Sequence, residues 1–242
     1  MTVLALSGVR GGVGTTSLVA ALGFALRRLG QRVLLLDLCP QNLLRLHCNH
    51  ALQATEGWAR AECDGQLWSE PLLQVADELY LLPHGRLEAA ELGQMGQAHG
   101  AGAALWPQRL GQLRRHFDWL LLDLPAAVPG LAMPGLGGEV EYLRVLEADA
   151  ACHALLSLDM AGQGTLLLNR FDPISPLQRD LLLLWRERFG ARLAPQVVHR
   201  DEAMAGALAW KSPLGHYAGD SLAARDVGSL ATWCIGQWGA VR

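Results

Sequence analysis

Lysine is almost missing from this chain. Of its 20 basic residues only Lys211 is a lysine, and the others are arginine. An active site that needs a lysine near the N-terminus therefore does without one. Positive charge is not in excess either: 23 acidic residues leave a formal net charge of -3 over 242 residues. That removes the basic footprint of a nucleic-acid binder. No unbroken apolar run reaches the ~18 residues of a membrane helix; Leu18 to Leu26 is closed by Arg27 and Arg28. No basic n-region precedes the first strand pattern, so no signal peptide is expected. Five cysteines (Cys39, Cys48, Cys63, Cys152 and Cys234) are scattered and never spaced C-x-x-C. That argues against structural zinc and fits a reducing cytosol. Charged residues are 18% and the apolar set is 51%, a composition too rich in core formers for disorder. At ~100–200 residues per domain, a single domain accounts for the length.

What is present is an alternation of strands and helices. Val3 to Ser7 is a short apolar run, followed by the glycine cluster Gly8 to Gly14. Apolar residues at 18, 21, 22, 25, 26 and 29 then mark a helix from Thr15 that Gly30 ends. Arg32 to Asp37 is a buried strand ending in a carboxylate. Strand, glycine loop, helix and strand make a βαβ unit with a parallel sheet. Further strands are expected at Leu79–Leu82, Trp119–Asp123, Tyr142–Leu146, Thr165–Leu168 and Val197–Val198. Helices are expected over Leu105–His116, from Asp149 to near Gly162, from Ser175 to Gly190, over Asp201–Trp210 and over Ser221–Trp238. Asp149 and Ser175 read as N-caps, the latter with Pro176 at N1. Gly85–Gly102 and Ala126–Gly138 read as long loops. Continuous Leu/Val strands indicate helices on both faces, a doubly wound, mostly parallel α/β fold.

In such sheets ligands sit at the carboxyl ends of the strands. Three ends here carry chemistry. The first is the loop Val9, Arg10, Gly11, Gly12, Val13, Gly14, Thr15, Thr16, with Ser17 behind it. Glycines between a strand and a helix N-terminus let backbone N–H groups converge on phosphate oxygens. The Thr16 hydroxyl, on the first turn, is placed to hold Mg²⁺. The strict motif G-x-x-x-x-G-K-[ST] is not met: Thr15 stands at the lysine position and Val9 at the first glycine. The other ends are Asp37-Leu38-Cys39-Pro40-Gln41 and Asp123-Leu124-Pro125. Either Asp alone reads as a loop cap; both together beside a phosphate loop read as carboxylates serving Mg²⁺. Cys152-His153 reads as a buried thiol and a polar cap rather than a nucleophile pair, because neighbours on a helix point apart. Trp58, Trp68 and Trp106 fall in irregular segments and are candidates for a partner surface.

The segment Arg10 to Thr16 resembles the deviant Walker A motif of the MinD/ParA class of P-loop ATPases, which carries a signature lysine at the position of Arg10. Asp37-x-Cys39-Pro40-Gln41 resembles that class's switch I and Asp123-x-Pro125 its switch II. Within the class the chain is most similar to the BcsQ family of bacterial cellulose-biosynthesis proteins. The resemblance is carried by residues 8–16, Cys39 to Leu46, Gly57 to Ala61, Asp149 to His153 and His199 to Ala205. It implies ATP or ADP with Mg²⁺, bound by a nucleotide-sandwich homodimer. Asn169, with Arg170 beside it, would read adenine, and His199, Arg200 and Asp201 would frame the base; Asp201 reads equally as a helix N-cap. Cys39 replaces the switch I aspartate that orients the attacking water, so Cys39 and Asp37 form a degenerate catalytic segment with slow or absent hydrolysis. The implied partners are a small BcsR-like subunit and cellulose synthase regulatory subunits. The implied place is the cytosolic side of the inner membrane, with no specific nucleic acid. Three rival readings remain: a ParA-like partition ATPase, which the net charge disfavours; a redox iron protein, which lacks paired cysteines; and a nucleotide-free scaffold.

Overall fold

The computed structural model describes residues 1–101, 105–126, 140–158 and 162–239. Strand β1 (Thr2–Gly8) leads through the glycine loop into α1 (Thr15–Arg28) and β2 (Val33–Asp37). A 3-10 turn (Leu44–Cys48) and α2 (Trp58–Cys63) follow, then β3 (Leu73–Ala76) and β4 (Leu79–Leu82). Next come α3 (Ala89–Ala101), α4 (Leu105–Leu113), β5 (Trp119–Asp123) and β6 (Val140–Leu146). The chain continues with α5 (Ala150–Ser157), β7 (Thr165–Leu168), α6 (Pro176–Phe189), α7 (Glu202–Ala209), α8 (Leu214–Tyr217) and α9 (Leu222–Trp238).

The strands form one sheet in the order β3-β4-β2-β5-β1-β6-β7. All neighbouring pairs are parallel except β3 with β4. Alternate residues of each strand face opposite layers. Leu4, Leu6, Leu35 and Leu121 join one buried cluster with α1 and α9, while Val3, Ala5, Leu34 and Leu122 join another with α2 and α4. This double coverage is why the strands read as continuous apolar runs. The β1–α1–β2 crossover passes over β5, so β2 and β5 bring Asp37 and Asp123 into register as direct neighbours. Among the described residues no helix is long and apolar enough to cross a membrane.

Three expectations change. Residues 85–102 are not a loop, since α3 occupies most of them. Its start has half a capping box: the Glu88 N–H donates to Glu91 Oε2 at 2.7 Å. Val197–Val198 is not a strand; Val198 donates to the Leu168 carbonyl at 2.9 Å, but regular pairing beside β7 is reduced to isolated bridges at Leu193 and His199. Pro195 cannot donate to a ladder. Trp58 and Trp106 are buried at 3% and 4% exposure and pack edge to face. They fill the core under β2 and β5 rather than facing a partner, and half-buried Trp68 leans on Trp106. The expected loop 126–138 lies almost wholly outside the described residues.

Candidate functional site

The glycine loop is shaped by its backbone and braced by side chains. Gly12 and Gly14 have φ of 83° and 87°, the left-handed region open to glycine. At Gly14 a Cβ would also come within 2.8 Å of Asn169 Nδ2. Three successive carbonyls are held: Gly11 O by Arg10 Nη1 at 2.9 Å, Gly12 O by Arg170 Nη1 at 2.8 Å, and Val13 O by Asn169 Nδ2 at 2.7 Å. With its carbonyls turned to these donors, the loop has its N–H groups free to converge. Gly14 is the N-cap of α1 and no side chain caps the helix. The first-turn N–H groups, at the positive end of the helix dipole, are thus open to an anion.

Arg10 is tied to its own chain. Its Nη2 donates to Glu147 Oε2 at 2.8 Å and also to Asp149. The hydrogen bond that Arg10 donates to Asp149 raises the Arg10 pKa. Burial works against ionisation of Asp149, but the Cys152 N–H and Arg10 together hold its carboxyl below the usual range. Asp149 is also the N-cap of α5, as the sequence indicated, accepting from Cys152 N at 2.7 Å. Glu147 bridges to Arg170 Nη1 at 2.6 Å. It stands where β6 ends, two residues before the expected cap. A carboxylate at a strand end was the signal for it, and the sequence reading passed over it.

The two strand-end aspartates lie side by side and are both buried. Asp37 accepts from Cys39 N at 2.9 Å and Leu44 N at 3.3 Å, so the segment 38–44 wraps its carboxylate. Burial and the neighbouring Asp123 push the Asp37 pKa well up. Burial pushes Asp123 up to about 7, with the Thr16 hydroxyl the opposing influence. Apart from that Thr16 hydroxyl, neither Asp123 oxygen has a hydrogen-bond partner among the described residues. Buried unpartnered carboxylate oxygens are costly in isolation, and hard oxygen donors are what Mg²⁺ takes. The donor set of Thr16, Asp37 and Asp123 therefore fits a magnesium site. Burial, then Asp123 and Asp37, push the Cys39 thiol up to about 12, so it stays neutral. The thiol donates to Gln41 Oε1 at 2.6 Å. Ser17 turns from the loop to His47, Oγ to Nε2 3.3 Å. That ring is held neutral because burial lowers its pKa to about 4.

His199 and Arg200 run alongside Phe171, two residues past Asn169: Arg200 N donates to Phe171 O at 2.9 Å. His199 is held by Asp226, Nδ1 to Oδ2 2.8 Å. Asp201 accepts from Ala203 N at 2.9 Å as the N-cap of α7, and from Ala223 N at 3.0 Å at the start of α9. The structure thus gathers residues 9–17, Asp37, Cys39, Asp123, Asn169 and Arg170 at one end of the sheet, with His199–Asp201 along the Asn169 side. Cys152 is buried and its pKa is raised by burial to about 11, while His153 Nδ1 faces Trp185 Nε1 at 3.1 Å. They are not a nucleophile pair.

Residues 1–235 match the family model described as cellulose biosynthesis protein BcsQ. This chain belongs to the BcsQ family. The cellulose biosynthesis protein BcsQ of Escherichia coli K12 is 41% identical over 238 residues, covering 97% of this chain and 94% of that one. Among solved structures, the MinC:MinD cell division protein complex of Aquifex aeolicus superposes with a TM-score of 0.72 at 17% identity, over 100% of this chain and 99% of that one. Cobyrinic acid a,c-diamide synthase from Mycobacterium smegmatis, with bound ATP analogue and magnesium, gives 0.76 at 22% identity, over 100% and 98%. At these identities the two structures establish the fold. The chain is thus a BcsQ-family cellulose-biosynthesis protein with the MinD/ParA-type ATPase fold.

Proposed function

We propose that the chain is one nucleotide-binding domain, residues 1–242, that binds ATP (or ADP) with Mg²⁺ and pairs with a second copy through the bound nucleotide. Its task is to regulate or assemble the membrane cellulose synthase from the cytosolic face, with a small BcsR-like subunit and synthase regulatory subunits as partners. The single observation that carries the nucleotide reading is the bracing of Gly11, Gly12 and Val13 carbonyls by Arg10, Arg170 and Asn169. That arrangement aims the loop's N–H groups at phosphate oxygens without a P-loop lysine. Bound magnesium supplies positive charge to the phosphates. Thr16 would offer its hydroxyl to the ion, with the Asp37 and Asp123 carboxylates as further oxygen groups to hold it. Asn169 and the 199–201 backbone frame the base. A P-loop lysine normally neutralises the β- and γ-phosphates, and Thr15 does not. Arg10 fills that deficit for the partner's nucleotide by exchanging Glu147 and Asp149 for phosphate oxygens, which its forked guanidinium suits. Hydrolysis is slow or absent, because a neutral Cys39 thiol is a weak acceptor and positions water poorly.

Calorimetric titration with ATP tests the site. Thr16→Ala should weaken binding in Mg²⁺ far more than in EDTA; equal losses in both would remove the metal role. Arg10→Ala should leave the fold intact and abolish the ATP-dependent dimer seen by analytical ultracentrifugation. The wild-type coupling between ATP and dimerisation is expected at 5–150-fold, or ~1–3 kcal/mol. An unchanged dimer mass in the variant would show that apolar surface alone holds the pair.

A further inference from the structure

On the outside of the molecule, the last turns of α1 and the first turns of α9 meet beside α8 and leave a groove of about 320 Å³. Its apolar walls include Phe24, Ala25 and Val227, and exposed Leu29 lies at its edge. Two arginines also line it, Arg28 and Arg225, and no acidic residue does. Both side chains are exposed, and neither guanidinium has a hydrogen-bond or ion-pair partner among the described residues. Gly228, inside α9, forms part of the same groove. Glycine is a poor helix former, and among the described residues nothing requires it here: a Cβ would meet no atom within 4 Å. The open space above Gly228 permits a close approach from outside.

We infer that this groove is a docking site for an acidic amphipathic helix of another protein. Apolar side chains of that helix, spaced i, i+3 and i+4, fill the space over Gly228 and against Phe24 and Ala224. Carboxylates flanking them pair with Arg28 and Arg225. Charge complementarity selects the occupant: among the described residues, the charged groups that line the groove are these two arginines, and both are unpaired. Two close-packed helices with small residues between them also present the shape that receives a third helix. The site is on the flank formed by α1 and α9 and does not rest on the nucleotide reading.

The test uses the full chain and two fluorescein-labelled helical peptides, each with leucines at i, i+3, i+4 and i+7. One carries Glu at the flanking positions and the other Gln. By fluorescence anisotropy the Glu peptide should bind at least tenfold more tightly. Gly228→Leu, which fills the groove, should abolish that binding while the melting transition stays cooperative and ATP binding is unchanged. A double variant, Arg28→Glu with Arg225→Glu, should lose the Glu peptide and gain affinity for a Lys version. Equal binding of the Glu and Gln peptides would overturn the proposal, as would binding that survives Gly228→Leu. A change in oligomeric mass with Gly228→Leu would assign the groove to a second copy of this chain and overturn it too. Gly228-dependent binding to anionic phospholipid vesicles in place of the peptide would do the same for a lipid surface.

Discussion

The glycine loop and the pair of strand-end aspartates are neighbours at the same end of the sheet, yet they are finished to different degrees. In the loop the carbonyls of Gly11, Gly12 and Val13 each have a side-chain donor, and Glu147 ties Arg10 to Arg170 behind them. At the aspartates, Asp37 is wrapped by two backbone N–H groups, while among the described residues the buried Asp123 oxygens have only the Thr16 hydroxyl beside them. One region has its carbonyls satisfied without a ligand; the other holds two buried carboxylates, with Asp123 disfavouring the charge on Asp37. The difference separates framework from function. Bracing the loop stabilises the ligand-free protein. Burying Asp123 with so little pairing destabilises it, a cost that the proposed Mg²⁺ site would offset.

The largest effect should come from removing that reserved charge. In the folded protein Asp123 titrates near 7, well above the 3.8 of an ordinary aspartate. A raised folded-state pKa stabilises fully below the unfolded value, and that advantage is lost as pH rises toward 7. Nucleotide-free Asp123→Asn should therefore become progressively more stable than wild type from about pH 4 to pH 7, with the gap level above that. The gap should reach a few kcal/mol, at about 1.4 kcal/mol per unit of displacement. His47, depressed to about 4, acts in the opposite sense below pH 6.5, but both proteins share it, so the difference reports the buried Asp37 and Asp123 pair. Chemical denaturation across that range is the measurement; parallel curves would mean that Asp123 is ionised and solvated.

Breaking the loop from within should cost somewhat less. Gly14→Ala meets both a φ of 87° and the Asn169 amide, so a loss of more than ~1 kcal/mol is expected from backbone strain alone. Its melting temperature should fall and nucleotide binding with it; an unchanged Tm would show that the loop rearranges freely. The mildest change is Asn169→Ala, which releases the Val13 carbonyl. One hydrogen bond is worth ~0.5–1.5 kcal/mol, so ATP affinity should drop roughly two- to thirteenfold with little change in fold. A loss of several hundredfold would assign Asn169 chiefly to contact with the base.

Much of the architecture was legible because it rests on local signals. Gly30 ends α1 with a positive φ, and Asp149, Ser175 and Asp201 cap the helices they precede. What was misread depends on context. Gly93 and its neighbours made residues 85–102 look irregular, although Glu88 and Glu91 carried a capping signal. Val197–Val198 had strand composition, but pairing depends on the neighbour it meets, and Pro195 breaks the ladder beside β7. Trp58 and Trp106 lay in segments without periodicity, and only packing shows that they meet beneath the sheet.

By itself the sequence determined the glycine loop, the strand-end carboxylates and the order of strands and helices, because backbone torsion, capping and apolar periodicity act over a few residues. The family resemblance was also legible there, in motifs spread from Gly8 to Ala205. Tertiary structure alone decided that Asp37 and Asp123 stand in register across β2 and β5, and that Asn169 and Arg170 reach the loop. It also decided that Arg10 lies against Glu147 and Asp149, and that a groove opens over Gly228. Each of these joins residues distant in sequence. Such contacts are set by how the sheet orders its strands and how helices pack on it, which no short stretch of sequence specifies.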